Sequence, residues 1–160
     1  MFQALQIITI VLVAVALTTS LAHALELPGK MRLSKETYLA VQQIYYPGFT
    51  VAGMGEVGAI LAALVLTALT RAGPPFWLTL AALLGLICAH ALYWLVTHPV
   101  NNFWLKDFAL QGASRGFFAF GAAAHERDWT ALRDQWEYSH AARAVLVFLS
   151  LVLLVTAATL

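Results

Sequence analysis

Four stretches of this chain, residues 4–25, 51–70, 75–97 and 140–160, contain only two formal charges between them, Glu56 and Arg143. Each is close to the roughly 20 apolar residues that an α-helix needs to cross a hydrocarbon core. Lipid offers no water to backbone N–H and C=O groups, so a spanning segment must be a helix or part of a closed barrel. The blocks are continuous and do not alternate with period two, which selects helices. The expected fold class is therefore all-α: an integral membrane four-helix bundle, a single transmembrane domain over residues 1–160. Hydrophobic residues make up 61% of the chain and charged residues 11%, where soluble domains carry roughly 25% charged. Nine Lys and Arg with eight Asp and Glu cannot cover a water-facing surface, and a net charge of +1 gives nucleic-acid phosphates little to bind. A lone cysteine, Cys88, excludes an intramolecular disulfide and a Cys-based zinc site.

The first block admits a second reading, because Ala22-His23-Ala24 has the small-x-small pattern of a signal-peptidase site. Residues 1–6 carry no Lys or Arg, whereas Lys30, Arg32 and Lys35 follow the block, so a retained helix is expected. With four crossings, the loop holding Lys30, Arg32 and Lys35 lies on the same side as the one holding Lys106, Arg115, Arg127 and Arg133, with Arg143 at its edge. Only Arg71 falls on the other side. The positive-inside rule places the basic side in the cytoplasm and both termini opposite.

Ser34 is a candidate cap for a short helix through Ile44, ended by Pro47-Gly48, whose Tyr38, Tyr45 and Tyr46 suit a headgroup boundary. An aromatic, glycine-punctuated stretch over 103–124 is expected to lie in the interface between helices 3 and 4. Asp128 is a candidate cap for the last helix, which would extend it well before His140. Pro99 is expected to stop the third span.

Ionisable groups in lipid are costly and mark candidate sites. Glu56 sits about five residues into the second span, roughly 7.5 Å deep at 1.5 Å per residue. His23, His98 and His140 end or open the other three spans on the same side. Each helix thus brings one ionisable side chain to a common depth. His23, Glu56, His98 and His140 match the ligand appetite of a divalent transition metal, zinc, copper or iron. Without a metal, the same set can hold a general base. Haem b ligated by two of these histidines is the weakest cofactor reading, and the plainest alternative is that each His caps carbonyls or meets headgroups. Trp129, Arg133, Trp136, His140 and Arg143 recur at spacings of four, three, four and three, so they share one helix face. Arg133 is spaced to pair with Glu137, and Arg143 needs a partner that Glu56 can supply. The Asn101 and Asn102 amides can bond freed carbonyls or a polar substrate group. His90, mid-span, is expected to bond a backbone carbonyl. Gly53, Gly55 and Gly58 are expected to let helices approach closely, and Cys88 to lie in the core. His125 has no assigned role.

Pro99-x-Asn101-Asn102 ending one span, followed by Trp136-x-x-x-His140-x-x-Arg143 opening the last, resembles the anthrone-oxygenase-like family of small four-helix membrane proteins. The resemblance marks Asn101, Asn102, Trp136, His140 and Arg143. It implies oxidation of a lipophilic aromatic or quinone-like small molecule by molecular oxygen. In that chemistry His140 would act as base, Arg143 and Asn101 would stabilise developing charge, and Trp129, Trp136, Asn102 and Arg133 would bind substrate. The rival reading is a non-catalytic accessory subunit, packed in a homo-oligomer or a larger membrane complex, with the polar residues as structural glue. Beyond the lipid bilayer, the partner expected on the first reading is the lipophilic small molecule, and nucleic acid on neither. For sidedness, Arg32→Cys and Arg71→Cys, each in a Cys88→Ala background, should react with a membrane-impermeant maleimide from opposite faces of sealed vesicles.

Overall fold

The computed structural model describes residues 1–105 and 128–160, without the side chains of 102, 103 and 105. Residues 106–124 of the expected interfacial stretch, His125 and the Asn102 amide therefore lie outside the described residues. Helix α1 spans Phe2–Lys30, α2 Lys35–Gln42, α3 Gly48–Leu69, α4 Pro74–Leu92, α5 His98–Leu105 and α6 Trp129–Ala158. A 3₁₀ turn, Gln43–Tyr45, follows α2, and a π-turn, Tyr93–Thr97, joins α4 to α5. Among the described residues, four helical segments are long and apolar enough to span a membrane: Phe2–Lys30, Gly48–Leu69, Pro74–Asn101 and Trp129–Ala158. The protein is an all-α integral membrane four-helix bundle. Its long helices alternate in direction, and α1 and α4 each pack against both α3 and α6. Phe2, Leu69, Pro74 and Ala158 meet around a surface hollow at one end. The polar residues gather at the other.

Local chemistry explains the boundaries. Ser34 accepts the Thr37 N–H at 3.3 Å and starts α2, while Asp128 accepts the Thr130 N–H at 3.3 Å and starts α6. The Thr130 hydroxyl also bonds Asp128 and is the main reason its carboxyl titrates below the usual range. At the opposite end, Gly73 adopts φ 144°, open essentially to glycine alone, and hands over to Pro74 and Pro75 in the first turn of α4, where a missing N–H costs nothing.

Two spans run further than the hydropathy suggested. Helix α1 continues through Pro28 to Lys30, and Lys30 is buried rather than in a loop. A proline this close to a C-terminus disrupts only one late backbone bond, and the carboxylates around Lys30 make its burial possible. Pro99 likewise does not stop the third span. The π-turn precedes it, with the His98 N–H reaching back to the Tyr93 carbonyl, and the chain stays helical to Leu105. Gln135 of α6 donates its amide to the Val96 carbonyl at 2.9 Å, satisfying a group inside the irregular turn.

Away from the polar end the interior is lined by small and aliphatic side chains, among them Val13, Ala59, Ala63, Ala82, Leu86 and Val147. Lipid tails are as apolar as these residues, so close packing rather than water exclusion holds the helices together. The close approach is at Gly85, where an added Cβ would collide with the Ser150 hydroxyl. It is not at the α3 glycines: a Cβ at Gly53 or Gly58 meets nothing within 4 Å, and one at Gly55 only touches Val15 at 3.9 Å. Cys88 is exposed on the outer face rather than in the core. Gly85→Ala should displace the Ser150 hydroxyl from the Leu146 carbonyl and cost about 1 kcal/mol. Adding Ser150→Ala should recover most of it, while Gly58→Ala should gain roughly 0.5–1 kcal/mol from helix propensity. Thermal unfolding in mild detergent reads all three.

Candidate functional site

A cavity of about 400 Å³ opens among α1, α3, α6 and the π-turn region at the polar end. His23 of α1 and His140 of α6 meet there with ring centroids 4.2 Å apart. Trp136, one turn before His140, sets its indole edge-on to both, 4.6 Å from His23 and 4.4 Å from His140. Tyr45 and Phe49 close on His23 from the other side at 4.5 and 5.0 Å.

Each imidazole is pinned by a cation. Lys30 Nζ lies 3.2 Å from His23 Nδ1, and Arg143 Nη1 lies 3.2 Å from His140 Nδ1. Ammonium and guanidinium groups are donors only. Both Nδ1 atoms must therefore accept, and in the neutral imidazoles the proton resides on Nε2. The two rings thus offer N–H donors on the side away from their cations.

The cations are in turn compensated, as burial in a low-dielectric interior demands. Lys30 pairs with Glu137 at 2.9 Å and with Glu26 at 3.5 Å. Glu137 also receives the Tyr38 hydroxyl at 2.9 Å, and Glu26 the Tyr45 hydroxyl at 2.5 Å. Burial first, then the neighbouring carboxylates, push both phenols well above their ordinary range, so they remain donors. Arg143 pairs with Glu56 at 2.5 Å, and its guanidinium carbon sits 4.9 Å from the centre of the Tyr93 ring. The π-turn presents that ring. Asn101 accepts the Trp136 indole N–H at 2.7 Å and donates a long 3.4 Å bond to the Tyr93 hydroxyl.

The fold thus gathers His23, Glu56, Asn101, Trp136, His140 and Arg143 around one cavity. It does not bring every expected residue there. His98 is buried against Tyr93 and Trp94, with Nδ1 3.5 Å from the Tyr93 hydroxyl, and does not line the cavity. Among the described residues, no three His, Cys, Asp or Glu side chains are placed to hold a metal ion, so His23, Glu56, His98 and His140 do not form one ligand shell. Trp129 and Arg133 stack on each other with 5.1 Å between guanidinium and ring, outside the cavity wall. Arg133 pairs with Asp134 at 2.8 Å instead of Glu137, because Glu137 faces α1 and is taken by Lys30.

Among the described residues, His90 bonds no backbone carbonyl. Its Nε2 accepts the Trp94 indole N–H at 3.0 Å, and its Nδ1 stands 3.6 Å from Glu56 Oε1. It lines the cavity with Tyr93. Lys30 and Glu137 are further unforeseen members of the polar cluster. His23, Glu26 and Lys30 lie three and four residues apart, a shared helix face visible in the sequence. The mid-span position of His90 and the π-turn gave no such sign.

Arg143→Gln or Glu56→Gln should each destabilise the fold by roughly 3–5 kcal/mol, the usual cost of leaving half of a buried pair. The exchange Glu56→Arg with Arg143→Glu should restore part of that loss in thermal unfolding. In comparisons with protein-family models, with curated proteins and with solved structures, nothing matches this chain.

Proposed function

We propose that this protein is a membrane oxidoreductase, anthrone-oxygenase-like in its chemistry, acting on a lipophilic aromatic or quinone-like substrate in the cavity at the cytoplasmic side of the membrane. The observation that carries the reading is the cation-pinned pair His23–His140 in an aromatic-walled cavity. Oxidation of an anthrone-type ketone by oxygen consumes one O₂, gives the quinone and releases one water. It begins by removing a proton to leave an enolate. Two imidazole N–H groups beside Lys30 and Arg143 suit the oxygen on which that charge develops. The Arg143 bond to Nδ1 favours this donor role for His140 over the role of base. Glu56, with Oε1 unengaged by Arg143, is then the acceptor for the proton that leaves. Trp136 and Phe49 supply flat apolar walls for a ring system.

The basic residues remain the support for the cytoplasmic placement of this end. The test is oxidation of anthrone by the purified protein, followed as anthraquinone absorbance and oxygen uptake. His140→Ala should lower turnover about 10²–10³-fold, the usual effect of removing one donor from a developing oxyanion, with helicity and membrane insertion unchanged. Full activity in that variant would remove His140 from the oxyanion site, and no oxidation by the wild type together with stoichiometric co-purification of another membrane chain would turn the assignment toward an accessory subunit.

A further inference from the structure

We infer that the unsatisfied pair Glu56 and His90, in the cavity wall, is a binding position for a hydroxyl group on a lipophilic molecule that enters sideways from the bilayer. Glu56 Oε1 and His90 Nδ1 are both buried and have no hydrogen-bond partner among the described residues. They stand 3.6 Å apart, too far to bond each other. Glu56 is only 4% exposed, and an orphaned carboxylate oxygen at such depth is costly. The protonation pattern is fixed by neighbours. Indole N–H is a donor only, so the Trp94 bond makes His90 Nε2 an acceptor and leaves the proton on Nδ1. A donor and an acceptor thus lie side by side, neither of them satisfied. One oxygen beside the pair, about 2.8 Å from each, would satisfy both, accepting from His90 and giving its own hydrogen to Glu56. A hydroxyl does both at once, whereas a carbonyl or an ether cannot donate. Thr50 Oγ1, also buried without a partner among the described residues, lines the same cavity.

The route in follows from exposure. Met54, Val57 and Trp94 line the cavity yet are 61%, 46% and 37% exposed, on the outward faces of α3 and the π-turn. Gly53 beside them carries no Cβ, and nothing lies within 4 Å of where one would be. In a membrane those faces meet acyl chains, so the mouth admits molecules dissolved in lipid. This position names the group by which the substrate of the preceding reading is held: the hydroxyl uses one lone pair of Glu56 Oε1 and leaves the second for the departing proton.

The experiment compares 2-naphthol with 2-methoxynaphthalene, planar probes that differ only in methylation of the hydroxyl. Retention is measured by equilibrium dialysis against protein in lipid nanodiscs, with empty nanodiscs subtracted. The wild type should hold the naphthol about tenfold more tightly, the effect of one hydrogen bond to a charged group. His90→Leu should cut that preference at least about threefold, and Gly53→Phe should abolish retention of both probes by filling the mouth. Equal retention of the two by the wild type, as a water-filled gap would give, overturns the inference, as does retention of neither or an unchanged preference in His90→Leu. Anthrone turnover without a hydroxyl preference would defeat this inference alone, and a preference without turnover would defeat only the oxidoreductase reading.

Discussion

A guanidinium inside a membrane bundle must be neutralised and bonded within the protein, and Arg143 imposes that requirement on three neighbours. Glu56 of α3 supplies the opposite charge, His140 Nδ1 takes a second N–H, and the Tyr93 ring covers the cation. Meeting these demands ties α6 to α3 and to the π-turn. The cavity lies among the groups so positioned, with a mouth between α3 and the π-turn. Near Gly85 and Ser150, by contrast, α4 and α6 come close enough that an added Cβ would displace the Ser150 hydroxyl. One seam is tight and the other is open.

Lys30 repeats the arrangement on the opposite wall. It too donates to a histidine of its own helix, His23, and is balanced by a carboxylate from another, Glu137. The two cation–histidine units meet ring to ring at 4.2 Å. Neither ring can turn over without surrendering a charge-assisted bond, so their orientation is preset before any ligand arrives. Such preorganisation is what makes donors effective toward developing charge.

The spans, their number, both side-chain helix caps and the Glu56–Arg143 pair were legible because hydropathy and isolated charge in lipid leave few solutions. The shared face of Trp136, His140 and Arg143 was legible from spacing. The sequence misled where tertiary contacts outvote local rules. Pro99 usually ends a helix, but a five-residue backbone bond and the Gln135 amide let this one continue. Lys30 looks like a loop residue until Glu137, more than a hundred positions later, arrives to balance it. His90 belongs to the site only because α3 brings Glu56 alongside, a contact no periodicity encodes. The α3 glycines resembled a packing stripe, yet in the fold Gly53 leaves room at the cavity mouth.

The separation of Glu56 from Arg143, 87 residues along the chain, has a consequence for biogenesis. Helix α3 leaves the ribosome long before its counter-charge exists, so until then its carboxyl must stay near water or carry a proton. Delivery of α6 then supplies the guanidinium beside which the carboxylate is stable in its ionised form. The ion pair at the heart of the bundle is therefore completed from the C-terminal side.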